Sequence, residues 1–392
     1  MESVLFTNVR ILEGRVDAPP SLGSVLVEGN RIRRVSRSAA SVAGGAATVI
    51  DGAGATLMPG MCEAHTHFSW NDAATLQDIQ RMPLEEHVLW CAKVARRYLA
   101  ASQEITVPGG LGDETLPHLP FPEFSFGVNV NSADEMRKAV RMFLKYGVDS
   151  IKLNLSGDNF TQDSPADTNW MSDAEVAAAM EEVRVRGKRG TSHARSAASV
   201  KQSLRHGIDV IYHASYSDSE SLDMLEAAKD RVFVAPGIAI ILAMLYEAEP
   251  WGITHAKAVQ MGYLREWEAA QESLRAMHKR GIRILPGGDY GFAMTPHCQN
   301  ARDLEFFVKY LGFTPMEAIR SATLYGGQIM MKPDELGIIK DGYLADVLLV
   351  DGDPLANLSI LRDPKRLLAV MKDGVFVKSP EIAAQRRWEH AA

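Results

Sequence analysis

Short stretches at both ends of the chain alternate between apolar and polar residues, which is the period of a β-strand and not of a helix. Turn residues around Gly29 and Gly374 divide two of these stretches into hairpins. Because such strands cannot bury a sheet face alone, we predict that the two ends pair into one sheet or sandwich. The stretches are residues 4–11, 24–35, 345–350 and 367–377.

The middle of the chain shows helical patterns that repeatedly give way to continuous apolar strands. Several helices begin at a Ser/Thr-x-x-Glu capping box, at Ser132, Ser172 and Thr314. Helices end in a basic residue followed by glycine, the usual C-terminal stop. This alternation predicts an α/β fold with a parallel sheet, and a (β/α)₈ TIM-type barrel fits it best. The stops are at residues 145–147, 205–207 and 279–281, with a fourth, before a shorter strand, at 188–190.

The length of the chain agrees with one barrel and a minor domain. A barrel takes about 250 residues, and the chain has 392. We predict that residues 1–58 and 335–392 form the two parts of a small β-domain, and that residues 59–334 form the barrel.

Composition and charge exclude several classes of function. The net charge of −7, from 42 basic and 49 acidic residues, gives no basic footprint for nucleic acid. No run approaches the roughly 18 apolar residues of a membrane span, and the start lacks the layout of a signal peptide. Cys62, Cys91 and Cys298 are too widely separated for a disulfide framework or a CxxC zinc site. We therefore expect a cytoplasmic protein whose partner is a small molecule.

Metal-competent side chains occur where apolar runs end. The i, i+2 spacing of His65 and His67 puts both imidazoles on one face of a strand. His193 and His213 end two further strands, and Asp289 follows another. Taken singly, each of these residues is better explained as a strand-end polar residue bonded to a neighbouring loop. Because a barrel brings its strand ends to one rim, the set together predicts a metal site there.

Lys152 lies inside the apolar run 150–155, which is expected to be a buried strand. Burying an unpaired ammonium is unfavourable, so the amine is readily made neutral. A neutral amine between two cations can add carbon dioxide and bridge them as a carbamate. The alternative is a salt bridge to a carboxylate of the barrel.

Short motifs cover most of the chain. They are Pro-Gly-x-x-x-x-His-x-His at 59–67, Tyr-Gly-Val-Asp-Ser-Ile-Lys at 146–152, Ser-His-Ala-Arg at 192–195, His-Gly-Ile-Asp-Val-Ile-Tyr-His at 206–213, Gly-Gly-Asp at 287–289, Thr-Pro-Met-Glu-Ala at 314–318, Ser-Ala-Thr at 321–323 and Gly-Ile-Ile-Lys-Asp-Gly-Tyr-Leu-Ala-Asp at 337–346. Together they resemble the amidohydrolase superfamily, specifically its imidazolonepropionase-like branch and its branch of carboxylated-lysine dipeptidases and amidases.

The resemblance implies a binuclear metal centre. Its ligands would be His65, His67 and Asp289 for one ion, His193 and His213 for the other, and carboxylated Lys152 as the bridge. Zinc is the expected metal, although iron, manganese or cobalt suit the same ligands. A metal-activated hydroxide would then attack an amide carbonyl, and Asp289 would carry the proton to the leaving nitrogen.

The implied activity is hydrolysis of the amide C–N bond of an N-acyl amino acid, a dipeptide or an aryl amide. One alternative is ring opening of a cyclic amide or deamination of a heterocycle, a branch that commonly uses a single metal. A second alternative is a non-catalytic relative that keeps only the barrel. Members of the superfamily often assemble, so we expect a homo-oligomer.

Five further residues are candidates for substrate contact. Tyr212 or Tyr216 would donate a hydrogen bond to the carbonyl oxygen, unless each is a packing aromatic. Arg195 would clamp a substrate carboxylate, or else form an ordinary ion pair. His297 resembles the family's substrate-contacting histidine, and His118 would line the pocket from a proline-rich loop.

The chain departs from the superfamily after its first helix. Members usually carry a second strand there with a Gly-x-Thr-Thr-Val-Arg-Asp-like run, whereas this chain passes almost directly from residues 84–101 into 102–107. We expect either the loss of one βα unit or a substitute segment that completes the barrel, because a gap would expose apolar side chains.

Overall fold

The computed structural model of the chain describes residues 3–37, 48–75, 78, 82–83, 86–89, 91, 99–113, 126–161 and 164–380. The strands in these ranges are β1 (Ser3–Ile11), β2 (Ser21–Glu28), β3 (Arg31–Ser36), β4 (Thr48–Asp51), β5 (Thr56–Pro59), β6 (Glu104–Thr106), β7 (Gly127–Asn129), β8 (Ser150–Asn154), β9 (Arg189–Ser196), β10 (Val210–Tyr216), β11 (Phe233–Ala235), β12 (Arg283–Ile284), β13 (Val347–Val350), β14 (Leu367–Lys372) and β15 (Val375–Lys378). The α-helices are α1 (Ala133–Lys145), α2 (Asp173–Val185), α3 (Ala197–His206), α4 (Ser219–Ala227), α5 (Ile238–Tyr246), α6 (His255–Gln260), α7 (Tyr263–Lys279), α8 (Arg302–Phe306), α9 (Pro315–Ala322) and α10 (Leu324–Ile329).

Spatial contacts divide the chain into two compact units. The terminal unit comprises Met1–Ala64 and Ala301–Ala392, and the central unit comprises His65–Asn300. This division groups the helices α8 to α10 with the chain ends, whereas the sequence placed them with the barrel. The domain boundaries at 58/59 and 334/335 therefore stay a prediction.

The terminal unit is built on one sheet whose strands come from both chain ends, as predicted. The strand order is β15-β14-β13-β5-β1-β2-β3, and β4 also pairs with β1. In a flat sheet, strands four positions apart would be separated by about 19 Å. The ring centroids of Phe6 in β1 and Phe376 in β15 are only 6.3 Å apart. The sheet therefore curls over its apolar core.

The central unit contains a seven-stranded parallel sheet with the order β12-β11-β10-β9-β8-β6-β7. Helices alternate with the strands from β7 to β12, which confirms the predicted α/β pattern with a parallel sheet. Residues 65–67 run beside the segment after β12 through a parallel bridge between Thr66 and Tyr290. Among the described residues the hydrogen-bonded order does not close into a ring.

β7 occupies the sheet position where the missing strand would be expected. It follows β6 in the chain, yet it pairs with the edge of β6 opposite β8. A strand preceding β6 would normally lie at that edge. β7 therefore lies where a substitute segment is expected, and its completion of the barrel stays a prediction.

Three of the four predicted helix stops occur in the structure, and the fourth is wrong. Helix α2 ends at Val185, and Gly187, with a φ of 61°, is the left-handed residue after it. Gly190 lies inside β9, where an added Cβ would come within 2.3 Å of Met180 Sδ. Glycine is needed there for close packing and not as a cap. The confirmed stops are Gly147, Gly207 and Gly281, with φ of 88°, 77° and 72°.

The predicted helix starts are N-caps. Complete capping boxes begin α2 and α9. At α1, Ser132 Oγ accepts a hydrogen bond from the Glu135 N–H at 3.2 Å, while the Glu135 carboxylate accepts from the Asn131 N–H at 2.7 Å.

No helix in the described part of the chain combines the length with the apolar character needed to span a bilayer.

Candidate metal centre

Residues 65–67 lie beside the turn that carries Asp289. The His67 N–H donates to the Tyr290 carbonyl at 2.7 Å, and the Asp289 N–H donates to the His65 carbonyl at 3.2 Å. These backbone bonds tie two segments that are more than two hundred residues apart in the chain. The side chains of His65, His67 and Asp289 therefore lie close together.

These three side chains form a compact group of potential ligands. Asp289 Oδ1 lies 2.9 Å from His67 Nε2 and 3.4 Å from His65 Nε2. One donor atom from each of the three residues lies within 4.8 Å of the others. Imidazole nitrogen with carboxylate oxygen is a donor set that suits zinc and similar cations.

His193 and His213 join this group from the adjacent strands β9 and β10. Their ring centroids are 4.4 Å apart, and the centroid of His213 is 5.2 Å from that of His65. Both ring nitrogens of His213 are buried and find no hydrogen-bond partner among the described residues. Since a buried polar atom without a partner is unfavourable, these nitrogens suit a bound cation.

Lys152 extends from β8 into the same region. Its side chain is buried, and Nζ lies 4.1 Å from the centroid of the Tyr212 ring. Burial lowers the pKa of Lys152, while the carboxylates of Glu104 and Asp289 act in the opposite direction and do not offset it. Burial therefore favours the neutral amine that carboxylation requires.

Burial also disfavours the protonated form of three imidazoles of the cluster. It lowers the pKa of His65, His193 and His213 well below the ordinary value. Burial opposes ionisation of Asp289, but the charge that His65 carries when protonated and the hydrogen bond from His67 outweigh it, and the pKa of Asp289 falls below its ordinary value. Neutral imidazoles beside an ionised carboxylate present lone pairs to a divalent cation.

Two of the candidate ligands have a strained backbone. His213 has a φ of 76° and Asp289 a φ of 64°, and Ala214 follows His213 with a φ of 55°. Left-handed backbone costs an L-residue about 1–2 kcal/mol. Such strain persists where the surrounding structure enforces it, and it concentrates at functional sites. The strain here falls on residues that the sequence singled out for chemical reasons alone.

Glycines make room for two of the candidate ligands, His213 and His67. A Cβ at Gly237, where φ is 65°, would lie 2.5 Å from His213 Nδ1. A Cβ at Gly291, where φ is 130°, would lie 2.5 Å from the His67 carbonyl oxygen and 3.2 Å from His67 Cβ. The position of the His213 ring and that of the His67 backbone therefore depend on residues that carry no side chain.

The cluster opens onto a cavity within the central unit. His65, His67, His193, Lys152 and Asp289 all line it, together with apolar and aromatic side chains. Apolar walls with a few convergent polar groups are typical of small-molecule sites.

The guanidinium of Arg195 is buried and engaged by protein groups. Arg195 Nη1 donates to the carboxylate of Glu266, and Arg195 Nε lies 3.2 Å from His193 Nε2. Glu266 is fully buried and also accepts from Ser215 Oγ at 2.8 Å and Asn159 Nδ2 at 2.6 Å. These contacts match the ion-pair alternative, although the pair is buried and not on the surface. The substrate clamp stays a prediction.

Tyr212 packs against the cluster. Its ring stacks on His65 with centroids 4.0 Å apart and planes 16° apart, and Lys152 Nζ lies over it. These contacts match the packing alternative, because they fix the His65 ring and shield the amine. The hydrogen-bond donor role stays a prediction.

The structure does not bring two of the other predicted substrate contacts, Tyr216 and His297, to the cavity. The Tyr216 ring lies 5.4 Å from the Arg265 guanidinium, and burial raises the pKa of Tyr216 to about 12. His297 Nδ1 lies 3.3 Å from Thr66 Oγ1. Neither Tyr216 nor His297 is among the described residues that line the cavity. His118 lies outside the described residues.

Two cavity residues were missed by sequence reasoning. Glu104 in β6 has Oε1 4.0 Å from His67 Nδ1, and Asn154 Nδ2 donates to Glu104 Oε2 at 2.8 Å. The indole of Trp70 stacks on His67 with centroids 3.5 Å apart and planes 5° apart. Trp70 could have been found by its position three residues after His67. The three-residue strand that carries Glu104 is too short for a periodic pattern.

The chain matches the Amidohydrolase family over residues 84–377. It belongs to that family. The ochratoxinase of Aspergillus niger is 27% identical over 259 residues, which are 64% of this chain and 51% of that protein. The match therefore spans about half the length of this curated relative.

Solved structures share the fold over nearly the whole chain. The crystal structure of an amidohydrolase aligns with a TM-score of 0.83 at 24% identity, covering 96% of this chain and 99% of the other. A Xaa-Pro dipeptidase with bound methionine in its active site aligns with a TM-score of 0.80 at 23% identity, covering 96% of this chain and 100% of the other.

Proposed function

We propose that this chain is a metal-dependent hydrolase that cleaves a carbon–nitrogen amide bond. The observation that carries the proposal is the convergence of His65, His67 and Asp289, with donor atoms within 4.8 Å of one another. Membership of the Amidohydrolase family supports it, as do relatives that are named ochratoxinase and Xaa-Pro dipeptidase. The N-acyl amino acids, dipeptides and aryl amides expected from the sequence remain the candidate substrates.

The donor chemistry supports two divalent cations. His65, His67 and Asp289 would hold one, and His193 with His213 the other, since the nitrogens of His213 are buried without a hydrogen-bond partner in the described part of the chain. Lys152, carboxylated, would bridge them, and zinc is the first choice of metal. When bound, such ions polarise a carbonyl and lower the pKa of water towards neutrality.

The protein's own groups would bind the substrate and move the proton. Asp289 Oδ2 is directed towards His213, 3.9 Å from its Nε2, while Oδ1 is held by His67. A carboxylate so placed can accept a proton from the attacking water and return it to the leaving nitrogen. The stack of Tyr212 on His65 would hold that imidazole in register, and the cavity wall would exclude bulk water.

The finer architecture that we propose is a closed (β/α)₈-type barrel with a β-sandwich at the chain ends. The bridge between Thr66 and Tyr290 extends the parallel sheet by one segment beyond β12, and β7 extends the other edge. The contact between Phe6 and Phe376 supports folding of the terminal sheet onto itself.

A second candidate function is favoured by one observation. In the described residues a single group of three or more His, Cys, Asp or Glu side chains meets the geometry of a metal site. One metal would favour cyclic-amide ring opening or deamination of a heterocycle. The number of ions bound per chain therefore separates the two candidates.

Metal analysis with Lys152→Ala tests the proposal. We expect close to two divalent ions per purified chain, a sharp fall in Lys152→Ala, and no change in the exposed control Lys145→Ala. A carbamate signal in carbon-13 NMR after incubation with labelled bicarbonate should appear only in proteins that retain Lys152. Unchanged metal content in Lys152→Ala would remove Lys152 from the site.

Asp289→Asn tests the proton transfer in the same preparations. We expect folded protein without turnover of a panel of amides, whereas the exposed control Asp134→Asn should keep full activity. An active Asp289→Asn protein would contradict the proton-transfer role.

A further inference from the structure

The cavity has a wall of connected aromatic side chains, which we call the aromatic wall: Trp70, Phe292 and Phe160. The ring centroids of Trp70 and Phe292 are 4.1 Å apart, and those of Phe292 and Phe160 are 6.4 Å apart. Trp70 also stacks on His67, with centroids 3.5 Å apart. The wall therefore begins at a candidate metal ligand and extends away from it.

Local backbone structure holds the aromatic wall in place. Trp70 ends a 3-10 turn that starts directly after His67. Phe292 forms a parallel bridge with Ala73. The Phe160 N–H donates to Asp158 Oδ1 at 2.9 Å. Rings that are fixed before binding lose little conformational freedom when a ligand stacks on them.

The aromatic wall keeps exposed ring surface. Phe160 is 40% exposed, and Trp70 and Phe292 are only partly buried. A flat ring placed against the wall would remove this surface from water and gain the specific geometry of aromatic pairs. The wall is therefore suited to an aromatic group attached close to the scissile amide.

The charges that line the cavity disfavour a carboxylate on the part of the substrate that faces the aromatic wall. The cations among the described lining residues are Lys152 and Arg195. Arg195 is already paired with the fully buried Glu266, and its Nε is directed at His193. Asp158, whose carboxylate accepts the hydrogen bond from the Phe160 N–H, also lines the cavity and would repel a substrate carboxylate placed beside it. A bidentate clamp uses Nη2 together with either Nη1 or Nε, and both of those partner nitrogens of Arg195 are already engaged.

We infer that the substrate is an aryl or arylalkyl amide whose aromatic ring lies against Trp70, Phe160 and Phe292 and carries no carboxylate on that side. The inference rests on the proposed function, because it places the amide at the metal centre. It selects one class among the candidate substrates, and it assigns Arg195 to holding the site together with Glu266.

Binding of a matched pair of probes to the metal-loaded protein tests the inference. The probes are the N-benzyl and N-cyclohexylmethyl forms of one methanesulfonamide, called the phenyl and the cyclohexyl probe; they cannot be hydrolysed as amides, their N–H groups are of similar acidity, and they differ mainly in aromaticity. Isothermal titration calorimetry should give a roughly two- to tenfold lower Kd for the phenyl probe. That preference should disappear in Phe160→Leu and in Phe292→Leu, and it should persist in Phe306→Leu, a control in the terminal unit.

Each outcome decides the inference. If the phenyl probe binds no more tightly than the cyclohexyl probe, including the case in which neither binds, the aromatic class is wrong. If the preference survives both wall variants, the ring lies elsewhere. Tighter binding of a third probe with a carboxylate on the ring would overturn the assignment of Arg195. Failure of the protein to hydrolyse any amide, with the aryl preference intact, would instead refute the proposed function alone.

Discussion

Gly237→Ala should disturb the metal centre without unfolding the chain. The new Cβ would lie 2.5 Å from His213 Nδ1 and 2.8 Å from His213 Cε1. The His213 ring is completely buried, with the His193 and His65 centroids 4.4 Å and 5.2 Å away. It has little space into which to move, so either the ring or the start of helix α5 must shift.

The expected loss of stability has two parts. A non-glycine residue at the φ of 65° costs about 1–2 kcal/mol. Overpacking a buried site adds about 1–3 kcal/mol. The sum, roughly 2–5 kcal/mol, lies below the stability of many domains, about 5–15 kcal/mol. Displacing the ring from its ligand position should also weaken metal binding. We expect the metal affinity to fall by at least about 10–100-fold, the loss typical when a group that supports a metal ligand is removed.

Gly252→Ala is the matched control. Gly252 has a φ of 77° and no atom within 4 Å of an added Cβ, so only the backbone strain of about 1–2 kcal/mol should apply. Urea unfolding of the metal-free proteins and competition of the metal with a chromophoric chelator measure the two effects. If Gly237→Ala and Gly252→Ala lose the same stability and bind metal equally well, the role of Gly237 in placing His213 is refuted.

Two further substitutions test the parts of the fold that support the site. Glu266→Gln should lower the free energy of unfolding by about 3–5 kcal/mol, because it leaves the buried Arg195 guanidinium without its counter-charge. The control Glu268→Gln, at an exposed position of the same helix, should change the free energy of unfolding by less than about 0.5 kcal/mol. Equal losses of the two variants in urea unfolding would contradict a special role for Glu266. Ser172→Ala should lower the free energy of unfolding by about 1 kcal/mol, because it removes the capping box of α2. Ser219→Ala, at an exposed position, is the control. An unchanged midpoint of thermal unfolding for Ser172→Ala would show that the cap contributes nothing measurable.

The sequence predicts the repeated architecture well, because hydrophobic periodicity and the residues that end a helix are local properties. The glycine stops after α1, α3 and α7 each need only a helix pattern and a left-handed residue, and all three occur. Gly190 shows the limit of this reasoning. A glycine after two basic residues resembles a stop, but its function is to let Met180 approach β9, and that contact is set by tertiary packing.

The candidate ligands could be identified from the sequence because parallel strands end at the same edge of a sheet. Nothing local, however, indicates which buried partner a charged residue will find. Glu266 lies 71 residues after Arg195 in the chain, in the first turn of helix α7, where an acidic residue is common for reasons of the helix alone. The same limit explains why Glu104, beside His67, was missed. Its strand has three residues and shows no period.

The backbone at the metal centre links stability to function. His213 and Asp289 both hold left-handed backbone, at about 1–2 kcal/mol each, and the nitrogens of His213 are buried without hydrogen bonds in the described part of the chain. A cation that binds only the folded chain would offset both, because binding stabilises the folded state in proportion to the logarithm of its concentration over Kd. An ion bound at the proposed centre would therefore give the strain and the unsatisfied nitrogens one common explanation.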